Sequence, residues 1–289
     1  MNDKHFLHAC ELIKTNLFNL DMNRAFNSIG SNVFFEFGKG KEVVFKNGRK
    51  RIKKEWIIWI SDASWRVSKK GKYIVGSGDS PKTIQLNIQN LLGKRFHSFQ
   101  FLSQFLDIEF NFDDDYQITT FFNWSEENQW TVFLPDQTNV GVDCSDQDTI
   151  QNVQEIATHL PIIDTYKKLD FPPKEIVLNG ITYNKYDLPT FHFENDISIN
   201  LENCTWRLEK NNGYIIGYLD GDKSKFSNKL SELTGKRLKQ IDIANAMQDS
   251  RFQFEDGYIL KTFTCCRRIA QWKICIQNKT VFSADILLN

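Results

Sequence analysis

Apolar residues recur along the chain at two periods, and the switches between them mark out its elements. From His5 to Leu20, Phe6, Leu7, Ala9, Leu12, Ile13, Leu17 and Leu20 fall mostly three or four apart, which predicts an amphipathic helix. Asp21 to Ser31 lacks that period and is expected to be a loop or a short second helix. Val33–Phe37 and Lys41–Phe45 then read as two strands around Gly38-Lys39-Gly40. Asn47-Gly48 marks a hairpin, because both residues tolerate positive φ. Glu55–Ile60, Trp65–Val67 and Lys72–Gly76 continue as strands. Helical spacing returns over Thr83–Leu92, with Gly93 as its C-cap. Four strands follow: Arg95–Phe101, Leu106–Phe112, Tyr116–Phe122 and Gln129–Leu134. Asp113-Asp114-Asp115 turns the chain between the middle two.

The stretch from Trp65 to Asp143 has a second copy. Trp65-Arg66-Val67, Tyr73-Ile74-Val75-Gly76 and Asp79 answer to Trp206-Arg207-Leu208, Tyr214-Ile215-Ile216-Gly217 and Asp220. Beyond these, Gly93-Lys94-Arg95 answers to Gly235-Lys236-Arg237, Phe110 and Phe112 to Phe252 and Phe254, Trp130 to Trp272, and Asp143 to Asp285. The expected helix over Phe226–Leu233 matches that over Thr83–Leu92. Lys174–Gly180 resembles Lys41–Gly48, so the second copy is expected to start there.

These elements predict an α+β chain of two tandem homologous β-rich domains. Each is an antiparallel sheet or meander with one short helix on a face, and an N-terminal helix precedes the first. Residues 1–145 make the first domain, 146–173 a helical linker ending in Phe171-Pro172-Pro173, and 174–289 the second.

Composition narrows the class. With 41% hydrophobic residues and 13% aromatics, a strand-rich packed core is expected. No run of 18 apolar residues or leader-like segment stands out, so no membrane role and a cytoplasmic location are expected. The six cysteines form no CxxC pair and are expected to be reduced thiols.

The formal charge of zero hides segregation. Lys39 to Lys72 carries twelve Lys or Arg against three Asp or Glu, and Asp107 to Asp148 carries eleven Asp or Glu with no Lys or Arg. Blocks of one sign point to a partner or to each other.

Candidate chemistry is sparse. Trp65-Arg66 and Trp206-Arg207 read either as a stacking and anion-binding platform or as a core aromatic with a buried arginine held by Asp79 or Asp143; the second reading weighs more. Arg49, Lys50, Arg51, Lys53 and Lys54, with Trp56 and Trp59 nearby, could track phosphates. Asp113, Asp114 and Asp115 suggest a divalent cation or, more simply, a solvated turn. The histidines, His5, His8, His97, His159 and His192, fall in no metal or acid–base pattern, and Cys265-Cys266 would point to opposite faces of a strand. No P-loop, GxGxxG or GxSxG occurs. No catalytic residue, cofactor or metal site is therefore expected.

The ordered set Trp65, Arg66, Gly76, Asp79, Gly93, Phe110, Phe112 and Trp130, with its second-copy partners, resembles small β-rich bacterial domains of the immunity and defence-accessory type. That resemblance implies an immunity or accessory role beside toxin or defence genes; the segregated charge, above all the acidic stretch from Asp107 to Asp148, leads to the expectation of a non-enzymatic interaction protein of the bacterial cytosol that binds another protein through its charged surfaces. The alternatives are nucleic-acid binding through residues 46–54, an enzyme built around the Trp-Arg pairs, and homo-oligomerisation by opposite charge.

Overall fold

The structure is a computed structural model describing residues 3–44, 47–48, 50–123, 128–136, 138–143, 166–171, 175–221, 223–244, 249–267 and 270–285. It divides into two compact units. The first comprises Met1–Lys70, Ser77–Phe121 and Glu126–Ile163; the second comprises Gly71–Gly76, Phe122–Ser125 and Asp164–Asn289. The described residues are mostly β with three short α-helices, which is α+β in class. None of those helices is long and apolar enough to cross a membrane. The linker expected over 146–173 lies largely outside the described residues.

The first unit opens on α1 (Asp3–Leu12), whose end widens into a π turn over Ile13–Leu17. Phe6, Ala9, Cys10, Ile13 and Leu17 are buried, as their spacing predicts. Burial pushes the Cys10 thiol up to about 12, which makes it a packing residue rather than a nucleophile. The segment expected to be a loop or helix is instead a strand, β1 (Met22–Asn27). Its bulge between Met22 and Arg24 breaks the period-two signal. Val33–Phe37 and Lys41–Phe45 are likewise not two strands. Val33–Val44 is the single strand β2, bent by a bulge between Phe37 and Gly40 where Gly38 takes φ +78°.

Two antiparallel arrays follow. One has the order β1-β2-β3-β9-β10, with β3 (Lys50–Ile60), β9 (Asn128–Phe133) and β10 (Asn139–Asp143). The other runs β4-β8-β7-β6, with β4 (Ser64–Lys69), β6 (Phe96–Phe101), β7 (Ile108–Phe112) and β8 (Tyr116–Phe121). The short β5 (Lys72–Gly76) falls with the second unit. After hairpin β2–β3 the chain crosses to β4, which pairs with β8; after hairpin β7–β8 it crosses back to β9, which pairs with β3. The arrays join at Met22, whose N–H donates to Lys94 O and whose carbonyl accepts from Gly93 N–H, both at 2.9 Å.

The second unit has the same internal connectivity. Its strands are β11 (Lys167–Lys168), β12 (Ile176–Tyr183), β13 (Pro189–Phe193), β14 (Ile197–Leu201), β15 (Thr205–Lys210), β16 (Gly213–Gly217), β17 (Arg237–Ile243), β18 (Ser250–Phe254), β19 (Tyr258–Phe263), β20 (Ala270–Ile276) and β21 (Lys279–Asp285). They order as β12-β13-β14-β20-β21 and β17-β18-β19-β15-β16, joined by β12 and β17, with β11 on β17. The chain again crosses twice: β15 leaves β14 to pair with β19, and β20 leaves β19 to pair with β14. Leu178 takes the place of Met22, donating to Lys236 O at 2.9 Å and accepting from Gly235 N–H at 2.8 Å. By pairing, β12 therefore answers to β1 and not to Lys41–Gly48.

Local chemistry explains the rest. Ser80 caps α2 (Pro81–Ile88), accepting from Thr83 N–H, and Pro81 starts the helix. Both α2 and α3 (Lys223–Leu230) run into a tight 3₁₀ turn, closed by Gly93 at φ +72° and Gly235 at φ +83°. The turns after Phe112 and Phe254 put Asp114 and Asp256 at φ 58° and 57°. A third turn of the same kind follows Phe193, with Asn195 at φ 59°. Asp and Asn are the side chains that tolerate this region best after glycine.

Four tryptophans fill the cores, each on the strand that follows a crossing: Trp65, Trp130, Trp206 and Trp272, none more than 2% exposed. Three indole N–H groups have acceptors: Trp65 to Ser31 O, Trp130 to Leu106 O and Trp272 to Ser250 Oγ, at 2.8, 2.9 and 2.8 Å. That of Trp206 has none among the described residues. Trp272→Phe therefore loses a buried hydrogen bond that Trp206→Phe does not. In urea unfolding, Trp272→Phe should be the more destabilising by about 1 kcal/mol; equal losses contradict this accounting.

Candidate functional site

Strand alternation turns Trp65 and Trp206 into the cores and Arg66 and Arg207 to the opposite face. The expected stacking platform is not what results, because both indoles are 0% exposed and present no ring to a ligand. Arg207 is only 1% exposed and is fully engaged. Its Nε donates to Glu209 Oε1 at 2.6 Å and a terminal nitrogen to Phe122 O at 3.0 Å, while Lys261 Nζ holds Glu209 Oε2 at 3.0 Å. Buried charges persist only when paired in this way. Its carboxylate is thus Glu209, two residues along the same strand. Asp220, the equivalent of the expected partner, instead accepts from Gly217 N–H at 2.6 Å and from the Tyr214 hydroxyl, fixing the turn after β16. In the first unit Arg66 is 3% exposed, near Glu109. Burial pushes the Glu109 carboxyl up, and the Arg66 charge partly offsets that.

Glu126, Glu127, Asp146 and Asp148 of the acidic block lie outside the described residues, and the described members that follow are dispersed rather than gathered into a face. Asp107 is buried and Glu109 half-buried. Asp113 accepts from Arg95 Nε at 3.0 Å, from Arg95 N–H at 3.2 Å and pairs with His97 Nε2 at 2.7 Å; Asp114 pairs with Lys94. The Gly-Lys-Arg segment therefore clamps the turn after Phe112. Lys236 with Asp256 and Arg237 with Glu255 clamp the turn after Phe254. Asp113 and Asp114 are committed to cations of the chain itself, which removes them as ligands for a free ion. Among the described residues no group of three His, Cys, Asp or Glu could hold a metal. Cys265 and Cys266 lie in the connection after β19, not in a strand, and Cys266 Sγ donates to Asn203 O at 3.2 Å.

The basic block behaves differently. Strand β1 pairs with β2 only over Val33–Phe37, and β9 pairs with β3 only over Ile57–Ile60. The paired segments Gly40–Val44 and Lys50–Lys54 thus run on as a two-stranded ribbon with neither edge covered by a neighbouring strand among the described residues. Its root is fixed at the bulge, where Glu55 Oε2 accepts from Lys39 N–H at 3.1 Å and Lys54 Nζ donates to Gly38 O at 3.3 Å. Lys39, Lys41, Glu42, Val44, Lys50, Ile52 and Lys53 are all exposed, Val44 at 58% and Ile52 at 53%. Residues 39–54 hold eight Lys or Arg (Lys39, Lys41, Lys46, Arg49, Lys50, Arg51, Lys53 and Lys54) against one acid, Glu42. Arg49 and Lys46 lie outside the described residues, and of Arg51 only the backbone register is described. Lys50 pairs with Glu42 at 2.8 Å on the surface.

Register sorts the ribbon into two faces. Gly40, Glu42, Val44, Lys50, Ile52 and Lys54 share one; Lys41, Val43 and Lys53 share the other. Lys41 stands directly opposite Lys53. Like charges in that position destabilise a strand pair, so the ribbon gives up local stability for its charge. Trp59, near which phosphate tracking was expected, is half-buried and stacked between Phe34 and Phe133 at 5.6 and 6.3 Å. Trp56 is buried in the core. Neither ring face is open to a base.

Lys53→Glu converts the opposed lysines into an ion pair, so the amides of the ribbon should exchange more slowly, by about 0.2–1 kcal/mol of local stability; unchanged or faster exchange contradicts the register. The hydrogen bond from Arg95 holds the Asp113 carboxyl down at about 2, against an ordinary 3.8. The contribution of this clamp is complete above the ordinary value and is lost as pH falls towards about 2. An NMR titration should find Asp113 ionising near 2 and, in Arg95→Ala, nearer its ordinary range; a midpoint indifferent to that substitution contradicts the clamp.

No protein-family model, curated protein or solved structure matches the chain.

Proposed function

We propose that the chain is a non-catalytic binding protein of the bacterial cytosol, and that its working surface is the β2–β3 ribbon, which takes an anionic macromolecular partner. One observation carries this reading: Lys39, Lys41, Lys50, Arg51, Lys53 and Lys54, against Glu42, sit on paired strands that leave the sheet with no other described strand on either edge. Elsewhere the notable charges are satisfied internally, as at Arg207–Glu209 and Arg95–Asp113. The resemblance to immunity and defence-accessory domains fits a protein whose work is recognition.

The two units are diverged copies of one ancestral unit in this reading. Their matched crossings, the Met22 and Leu178 junctions and the clamped turns after Phe112 and Phe254 support it. The second copy kept the fold but not the charge, because the β13–β14 hairpin has His192 and Glu194-Asn195-Asp196 where the first copy has its basic ribbon.

The test is affinity capture from a bacterial lysate at low salt, comparing the full chain with a Lys41→Glu/Lys53→Glu variant. Both substitutions lie on an exposed face away from the core, so folding should be retained and is checked by circular dichroism. A partner retained by the parent and lost by the variant is the expected result. Identical retention by both would place the working surface elsewhere.

A further inference from the structure

We infer that the partner of the ribbon is duplex DNA, entered through the major groove; this rests on the ribbon being the working surface. A B-form major groove is about 12 Å wide and admits a two-stranded β-ribbon, whereas the A-form major groove of RNA is too narrow for side-chain reading. Residues 40–44 and 50–54 form such a ribbon, with strands about 4.8 Å apart. Among the described residues its edges carry no further strand, so nothing described in the sheet widens it beyond a groove.

Its chemistry favours phosphate over an acidic protein. Protein interfaces are enriched in aromatic anchors and depleted in lysine. Six of residues 39–54 are lysine and one, Phe45, is aromatic. The opposed Lys41 and Lys53 put two ammonium groups side by side, a cost in the free protein that is offset when both face phosphates. The whole chain is formally neutral, so no general positive field explains an affinity for DNA if one is found. It would have to come from this local block.

The measurement is fluorescence anisotropy with a labelled 20-base-pair DNA duplex and the full chain. At low salt, binding is expected. It should weaken about 40-fold or more between 50 and 200 mM salt, as three or more phosphate contacts require. Lys41→Glu/Lys53→Glu should lose at least about tenfold, because two contacts become repulsive. A duplex RNA of equal length should bind more weakly. Absence of DNA binding, an affinity unaffected by the reversal, or RNA bound as tightly as DNA would each overturn the inference, as would polyglutamate bound more tightly than DNA in a ribbon-dependent way. A ribbon-dependent partner found by capture, with no affinity for DNA, would sink this inference and leave the broader reading standing. Capture unaffected by the reversal would sink both.

Discussion

Each unit depends on a reciprocal exchange between two antiparallel arrays. A hairpin in one array sends the following strand across to the edge of the hairpin in the other, and the second hairpin returns the favour. Neither array is complete without a strand supplied from its counterpart. Two features make the exchange hold. The strand after each crossing carries a buried tryptophan, so the crossing point is also the largest piece of core. Close by, Met22 or Leu178 joins the arrays through backbone bonds beside a glycine that ends the helix.

That constraint decides where charge can go. Strands such as β15 are buried on both faces, so Arg207 and Glu209 must neutralise each other and cannot serve a ligand. The tight turns are clamped by lysine and arginine, which commits Asp113 and Asp114 of the acidic block, and Asp256 of the second unit, to the chain itself. Where β2 and β3 outgrow their described neighbours, the chain escapes both demands. There it places like charges opposite each other, a local choice at odds with folding. Such conflicts mark functional surfaces more reliably than satisfied pairs do.

Much of the fold could be read from the residues, because aromatic and apolar periodicity reports burial directly. The first helix, the two short helices ended by Gly93 and Gly235, and the Phe-x-Phe hairpins are all present where expected. What escaped did so for identifiable reasons. Strand β1 is short, polar and bulged, so it shows no alternation. The bulge at Gly38 disguised one long strand as two. Phe35-Glu36-Phe37 and Phe191-His192-Phe193 belong to the same scheme as Phe110-Asn111-Phe112, but differing loop lengths hid it. The partner of Arg207 lay two residues away, on the same strand, where spacing along the sequence suggested an aspartate further on. For the ribbon, the charge was visible at once. Its exposure was not, since the same run of lysines on a paired central strand would have meant something else.

The proposed encounter of the ribbon with DNA can be tested directly. The most direct measurement is hydrogen exchange across the whole chain, with and without a 20-base-pair DNA duplex. Slowed exchange concentrated in residues 39–44 and 50–54, with the sheets beneath them little changed, is the result this account predicts. A footprint on any other surface, or none on the ribbon while DNA is bound, would contradict it.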